Sequence, residues 1–357
     1  MRGVRAPLVM LLAVGAAVMG ATPAGAPAQF SDSNPLEGVR LYVDTESPSW
    51  QQWQAYDRSG QQAKADLIWK IAREPRAMWL GRFTRPNFHV KVRRLIDAAV
   101  ADGSVPLFTV LRAQSTGCGA SYDGGGSAED ARTRAWYDDL ARAIGSDRVV
   151  IAFEPDSLGT IDCHARSRRD DRIRLLRYGV SVLSQLPNAT IYIEATASDW
   201  EPARRVAKLL RAVGVAKVRG FMLNATHYDW TSNNIRFGLE VSRRTGGKHF
   251  VINTAENGRG PIHYRLPNGR RINVWCNPGL RGLGPRPTTE TSNSKVDAYL
   301  WINRPGYAQS CQHRPIAWYP ARALTYARYA TDWERPPRGT KFGHFRRLSL
   351  RALGVRR

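Results

Sequence analysis

One aspartate follows a continuous apolar run and stands where catalytic groups collect in many α/β proteins. Residues 149–153 read Val-Val-Ile-Ala-Phe, and the chain continues Glu154-Pro155-Asp156-Ser157-Leu158. An unbroken apolar run bounded by proline predicts a buried parallel strand, because proline lacks the N–H for a further ladder bond. A carboxyl group just past that strand can give or take a proton at the rim of a barrel. Alternatively, Asp156 or Ser157 only caps the following helix.

Polar residues also end the other apolar runs of the chain. They are Asp44, Arg112, Glu194, Asn224, Asn253 and Asn303. If the runs are parallel strands of one barrel, these side chains converge with Asp156 on a single rim. Taken singly, each is an ordinary loop residue or helix cap.

Aromatic residues stand near the same ends. Trp79 lies in a short apolar segment, Trp200 follows Ser198-Asp199, His227 follows the fifth run, and Trp275 precedes a cysteine. An indole offers a large flat apolar face with a polar edge, which suits stacking against a sugar ring. The total of 11 tryptophans is high enough to consider sugar binding. The alternative is that most of them are core residues.

The elements that must position these residues alternate along the chain. Seven apolar, β-branched runs lie at 39–45, 106–112, 149–153, 190–196, 218–224, 250–255 and 298–303. Helical patterns lie between most of them, at 63–72, 88–100, 128–144, 169–186 and 202–213. This alternation predicts an α/β fold with a mostly parallel sheet and helices outside it. Seven strands suit barrel-like closure; an open doubly wound sheet is the alternative, but no Gly-rich nucleotide fingerprint follows the first run.

The two ends of the chain differ from its middle. Arg2 and Arg5 precede an apolar stretch at 8–19, and Ala26-Pro27-Ala28 offers a small-residue cleavage site. We therefore expect a signal peptide over 1–28, one globular domain over 29–334, a basic tail over 335–357 and a secreted protein.

The formal net charge is +23; two arginines fall in the signal segment and eight basic residues in the tail, which leaves +13 on the domain. Such a surface attracts polyanions non-specifically. The tail is either a disordered terminus or a weak anchor to anionic wall polymers or membranes. No nucleic-acid-binding motif is present, so we expect no specific nucleic-acid partner. We expect a monomer.

The four cysteines are Cys118, Cys163, Cys276 and Cys311. An even number in an exported protein suggests two disulfides. Sequence order favours Cys118–Cys163 and Cys276–Cys311, although three pairings are possible. Histidines near two of the cysteines raise zinc as a rival, but no ligand pair has zinc-finger spacing. We expect neither a metal nor a cofactor.

An ordered set of motifs from about residue 38 to about residue 330 resembles glycoside hydrolase family 6, the inverting β-1,4-glucanases. The matching stretches are 71–75 with Trp79, 117–119, 154–158, 198–200, 224–228, 253–261, 275–278, 281–284 and 297–302. The resemblance implies a distorted seven-stranded parallel β/α barrel, similar to a TIM barrel, and makes 29–334 a catalytic domain. It also implies the disulfide pairing that sequence order favours.

The resemblance assigns roles residue by residue. Asp156 matches the family's proton donor, and Trp79, Trp200 and Trp275 match its sugar-stacking tryptophans. His227 stands where the family usually has a substrate-contacting asparagine. A proton donor must stay protonated near neutral pH, so the pKa of Asp156 has to be raised by burial or by a neighbouring carboxylate.

The chain departs from the family pattern at positions that carry chemistry. Gly117 replaces the aspartate that usually precedes the first disulfide cysteine. In the family's Trp-x-Lys-x-Pro-Gly-Glu-x-Asp motif, Asn303 replaces lysine, Tyr307 replaces glutamate and Gln309 replaces aspartate. We expect Asn303 to contact substrate in place of the lysine. A glutamine cannot serve as a carboxylate base.

Asp123 is the remaining candidate for an auxiliary acid or base. It lies in the Gly-rich segment 121–126, and glycines permit movement of a loop over a cleft.

Two functions follow from these observations. The first is a secreted, cellulase-like glycoside hydrolase that cuts β-1,4-glucosidic bonds of a polysaccharide with inversion. The second is a catalytically degenerate protein that binds polysaccharide on the same scaffold without cutting it; Gly117 and Gln309 support it.

Overall fold

The computed structural model describes residues 32–81, 87–113, 127–265, 269, 271–309 and 316–332. The expected signal peptide and basic tail lie outside these residues. No helix among the described residues is long and apolar enough to span a bilayer.

Seven parallel strands form one sheet in the order β1-β2-β3-β4-β5-β6-β9. They are β1 (Met78–Gly81), β2 (Leu107–Leu111), β3 (Val149–Phe153), β4 (Ala189–Glu194), β5 (Gly220–Leu223), β6 (His249–Asn253) and β9 (Val296–Leu300). The order advances in one direction, unlike a doubly wound sheet, whose order reverses. The sheet curls into a half-barrel, which confirms the predicted α/β fold of seven parallel strands.

Helices connect most of the strands and cover the outer face of the sheet. They are α1 (Pro48–Arg58), α2 (Gln62–Ala72), α3 (Phe88–Ala101), α4 (Ser127–Ile144), α5 (Arg166–Leu183), α6 (Ala203–Val213), α7 (Thr231–Arg244) and α8 (Pro320–Arg328). A short antiparallel hairpin of β7 (His263–Arg265) and β8 (Arg271–Asn273) stands apart from the main sheet.

The strands are buried on both faces, as parallel strands are. On β3, Ile151 and Phe153 pack into the outer core with the helices. Val150 and Ala152 point the other way, into a smaller core with Tyr192 from β4. This alternation leaves no polar face on β3, so polar groups are placed at the strand ends.

The interpretation of 39–45 as the first strand is wrong. That run makes only an isolated bridge, Leu41 with Val105. The first strand of the sheet is β1, and it contains Trp79. Within the described residues, the two edge strands of the sheet, β1 and β9, are not paired with each other. One backbone hydrogen bond joins residues next to them: Ala77 N, before β1, donates to Trp301 O, after β9, at 2.9 Å.

Candidate functional site

The carboxyl ends of β3, β4 and β5 carry an unusual backbone. Glu154, Asp156, Thr196 and Asn224 have φ values of 55°, 67°, 60° and 65°. Non-glycine residues rarely adopt this left-handed region, and such strained positions cluster at functional sites. The four positions therefore mark one edge of the sheet, the edge predicted from the polar ends of the apolar runs.

Asp156 is half-buried at this edge, directly after β3. Its Oδ1 accepts a hydrogen bond from the Thr226 hydroxyl at 2.5 Å. Burial raises the pKa of Asp156, against the opposing effects of the Thr226 hydrogen bond and the His227 charge. A carboxyl group in this environment holds its proton to higher pH than an exposed aspartate, as a general acid requires.

Glu194 ends β4 directly beneath the Asp156 loop. Its carboxyl accepts from the backbone N–H of Leu158 at 2.7 Å and of Thr196 at 2.6 Å. Burial and the charge of Asp156 raise the pKa of Glu194 to about 8. Glu194 thus fixes the backbone that carries Asp156 and couples to it electrostatically.

Glu154, two residues before Asp156, faces the other way. It is fully buried and accepts from the N–H groups of Arg112 and Ala113 and from the Tyr137 hydroxyl at 2.6 Å. Burial raises its pKa to about 7. All its partners are structural, so it anchors the end of β2 to β3.

Trp200 and His227 form a wall beside Asp156. Their rings stack at 4.7 Å with an interplanar angle of 12°. The Trp200 ring also packs on Gly159, where an added Cβ would lie 2.4 Å from it. Only glycine allows this approach, which brings Trp200 onto the loop that carries Asp156.

Asp199 orients His227. The Nδ1 of His227 lies 2.9 Å from Asp199 Oδ1. Burial opposes the charged form of His227, but Asp199, with Asp156 and Asp229, raises its pKa above the ordinary value. Next to this pair opens a polar pocket of about 420 Å³ lined by Asp199, Asp229, Asn233, His263 and Asn273.

Trp79 lies on the opposite side, half-buried on β1. Its Nε1 donates to Ile302 O at 3.0 Å. The guanidinium of Arg304 lies over its ring, 4.8 Å from the centroid. Trp275 is 47% exposed after β8, and no ring contact among the described residues joins it to Trp79 or Trp200.

The three positions that depart from the family motif after β9, Asn303, Tyr307 and Gln309, are all described. Asn303 Nδ2 donates to Glu256 Oε2 at 2.6 Å, and its Oδ1 accepts from Arg304 N at 2.9 Å. Gln309 Nε2 donates to Thr226 O at 3.3 Å. Gln309 is therefore linked to Asp156 through Thr226, whose carbonyl accepts from Gln309 and whose hydroxyl donates to Asp156.

Several predicted positions are not described. Asp123, Gly117, Cys118 and Cys311 lie outside the described residues. Cys163 and Cys276 are described, and neither is a free thiol. Because their expected partners are not described, the disulfide pairing stays a prediction. Among the described residues, no group of three or more histidine, cysteine, aspartate or glutamate side chains could hold a metal ion.

Sequence reasoning missed residues that complete the site. Thr226 and Asp199 each flank a predicted residue, His227 and Trp200, and that adjacency was the available signal. Arg304 directly follows the predicted residue Asn303, but its contact with Trp79 joins segments far apart in the chain and could not be read from that adjacency.

Comparisons with known proteins show the family of the chain. A profile described as Glycosyl hydrolases family 6 matches residues 36–323. Endoglucanase A of Cellulomonas fimi is 35% identical over 81% of this chain and 61% of its own length. Endoglucanase 1 of Streptomyces sp. (strain KSM-9) is 28% identical over 88% of this chain and 89% of its own.

A solved structure extends the similarity to the fold. The endoglucanase Cel6 from Mycobacterium tuberculosis, in complex with methyl-cellobiosyl-4-deoxy-4-thio-β-D-cellobioside, superposes with a TM-score of 0.71 at 34% identity. The match covers 83% of this chain and 99% of that one. The chain spans less than two thirds of the Cellulomonas protein, so similarity to it covers only part of that relative.

Proposed function

The chain belongs to family 6 of the glycosyl hydrolases, and on that basis we propose that it is a secreted, cellulase-like hydrolase of β-1,4-glucosidic bonds in a polysaccharide. The names of its relatives support a glucan substrate, because they are endoglucanases. The ligand of the Mycobacterium tuberculosis enzyme, a cellobioside, points to the same substrate class.

Asp156 is the proton donor in this proposal. The observation that carries it is the placement of Asp156 after β3 with a pKa raised by burial and a carboxyl held by Thr226. Asp156 gives its proton to the glycosidic oxygen as the bond to the anomeric carbon breaks. Water attacks the anomeric carbon from the opposite face, which inverts its configuration.

The attacking water needs a base roughly 6.5–9.5 Å from the acid. Gln309, at the family's aspartate position, accepts no proton. We assign this role to Asp123, on the three glycines that follow it in the sequence. Asp123→Ala should then abolish turnover; full activity in that variant would exclude Asp123.

Sugar rings are held by stacking in this proposal. Trp200 and His227 make one wall beside Asp156, and Trp79 and Trp275 extend the binding surface. Asn303 contributes hydrogen bonds, although both its polar atoms already have protein partners, so substrate would have to share them.

A binding protein without turnover is the second candidate function. Gln309 favours it, because its amide is bonded to Thr226 O next to Asp156 and supplies no carboxylate there. Such a protein would keep sugar affinity in both the parent and Asp156→Asn, with no product from either.

The test is release of reducing ends from a soluble β-1,4-glucan by the parent and by Asp156→Asn. We expect the variant to lose roughly 10²- to 10⁴-fold in rate, the usual contribution of a general acid. Asp139→Asn, an exposed aspartate paired with Arg142 on α4, is the matched control and should keep full activity. Proton NMR of the first-formed anomer tests inversion.

If the parent releases no reducing ends but binds the glucan, the binding function replaces the hydrolase. If it neither cuts nor binds, both functions are wrong.

The ends of the chain complete the proposal. A cleaved signal peptide over 1–28 would export the protein, and the basic tail over 335–357 would hold it weakly on anionic wall polymers. Recovery of a mature chain starting near Gln29 from culture medium tests the first statement. Salt-sensitive retention on such polymers, lost on deletion of the tail, tests the second.

A further inference from the structure

Four residues beside β1 form a cationic and aromatic surface, here called the Arg304 cluster: Arg304, Trp79, Tyr307 and Arg76. The Arg304 guanidinium lies 4.8 Å from the Trp79 ring centroid and 4.3 Å from that of Tyr307. Arg76 is buried next to Tyr307, and its Nη1 donates to the Ser49 hydroxyl at 2.5 Å. The cluster thus places one guanidinium over the tryptophan that is expected to stack on sugar, and a second guanidinium near Tyr307.

These two cations have no ion-pair partner among the described residues. Arg304 Nε is buried without a hydrogen-bond partner. Its two Nη atoms have no protein partner there either, and they are not among the buried unpaired atoms, so they remain accessible to a ligand. Glu256 acts on the pKa of Arg304 through its charge but lies beyond ion-pair distance from it. The Oε2 of Glu256 accepts a hydrogen bond from Asn303 instead. Asp44 likewise acts on the pKa of Arg76 through its charge from beyond ion-pair distance.

Burial makes this arrangement costly without an anion. It lowers the pKa of Arg304 to about 10, with Arg76 adding to the effect, and it lowers the pKa of Arg76 as well. Arg304 therefore stays charged at neutral pH. A buried charge without a partner is unfavourable, and an incoming carboxylate would relieve that cost.

We propose that the Arg304 cluster is a subsite for a carboxylate-bearing sugar, so that the chain acts on an acidic β-1,4-linked glycan rather than on plain cellulose. The inference rests on the proposed function, because it names the substrate of the same site. A guanidinium presents parallel N–H donors that match the two oxygens of a carboxylate. The sugar ring would pack beside the Arg304 guanidinium on the exposed part of Trp79, so that the acid group carried on the ring meets Arg304.

The test compares three tetrasaccharides by calorimetry on the full chain. They are cellotetraose, the same β-1,4-linked tetramer oxidised to a carboxylate at each C6, and an α-1,4-linked galacturonate tetramer of equal charge. The third controls for non-specific attraction to a strongly basic protein. Each is measured with the parent, Arg304→Gln and Arg134→Gln. Arg134 lies over the Tyr178 ring at 5.0 Å, so the control loses the same charge and the same kind of contact elsewhere.

We expect the parent to bind the oxidised β-1,4 tetramer about 10-fold or more tightly than cellotetraose. Arg304→Gln should remove that preference, so that the variant binds the two β-1,4 tetramers about equally, and Arg134→Gln should leave the preference intact. The preference should also weaken with added salt. The parent's preference tests the inference even if Arg304→Gln fails to fold.

Equal affinity of the parent for the two β-1,4 tetramers would overturn the inference and leave the proposed function standing. So would a preference that survives in Arg304→Gln, or equal binding of the galacturonate tetramer. If no β-1,4 tetramer is bound or cut, the proposed function fails and this inference fails with it.

Discussion

The two ends of the parallel sheet treat buried carboxyl groups in opposite ways. At the amino end, Asp297 is buried and both its oxygens are bonded. Arg219 donates to each of them at 2.8 Å, the Tyr192 hydroxyl lies at 2.7 Å, and His249 Nδ1 lies at 2.9 Å. At this end the buried charge is matched by a cation in bidentate geometry.

At the carboxyl end, buried carboxyls lack such partners. Burial raises the pKa of Glu194 to about 8 and that of Glu256 to about 7, and Glu256 Oε1 has no hydrogen-bond partner. Arg304 is close but unpaired. The sheet therefore matches charge where it needs only stability and leaves charge unmatched where protons and ligands are expected to move.

The largest effect that would test this contrast is on stability. Asp297→Asn removes the charge that balances Arg219 and leaves a buried guanidinium uncompensated. Breaking a buried ion pair in this way should cost about 3–5 kcal/mol in the free energy of unfolding. Urea unfolding at pH 7, followed by tryptophan fluorescence, measures it.

The matched control is the same substitution at the other end, Asp156→Asn. It removes no ion pair among the described residues, and it should change the unfolding free energy by less than about 1 kcal/mol. If both variants unfold at the same urea concentration as the parent, the amino end contributes no special stability and the contrast is wrong.

The next effect is the pH dependence of stability that Glu194 imposes. A carboxyl whose pKa rises on folding from 4.5 to about 8 binds more protons in the folded state. Its contribution is fully present below pH 4.5 and is lost as pH rises through about 8, by a few kcal/mol in all. Glu194→Gln should flatten this decline, because an amide does not titrate. Unfolding free energies at pH 5 and pH 8.5 give the slope directly.

Measurement at two pH values separates titration from lost contacts. The glutamine loses one of the backbone bonds to Leu158 or Thr196 at every pH, so only the slope reports the carboxyl. Glu240→Gln, an exposed glutamate paired with Arg244 on α7, should keep the parent's slope. A slope unchanged in Glu194→Gln would mean that Glu194 is already ionised in the folded protein.

The sequence predicts those features of the sheet that depend on where a strand ends. The run 149–153 became β3 with the same bounds, because proline stops the ladder after Phe153. The prediction of a strand at 39–45 was wrong. An apolar run predicts burial, but a strand also needs a paired neighbour, and only Leu41 forms a bridge, with Val105.

The site divides along the same line. Asp156 could be placed at the rim because a strand ends just before it. The cation over Trp79 could not, because Arg304 reaches it from the end of β9, and nothing in either local segment encodes that meeting. The interpretation of Asp123 as a base stays a prediction.

The smallest effect concerns how finely the carboxyl end sets the pKa of Asp156. The positive charge of His227 lowers that pKa, so His227→Asn, which restores the residue usual in the family, should raise it. We expect a small rise, because solvent partly screens a half-buried pair. The carbon-13 shift of the labelled Asp156 carboxyl, assigned with Asp156→Asn, follows the titration whether or not the chain turns over substrate.

His249→Asn changes a histidine at the amino end and should leave the titration where it is. A fall in the pKa of Asp156 in His227→Asn, or an equal rise in both variants, would mean that His227 does not act on Asp156 through its charge, and that the two ends of the sheet differ less than their contacts indicate.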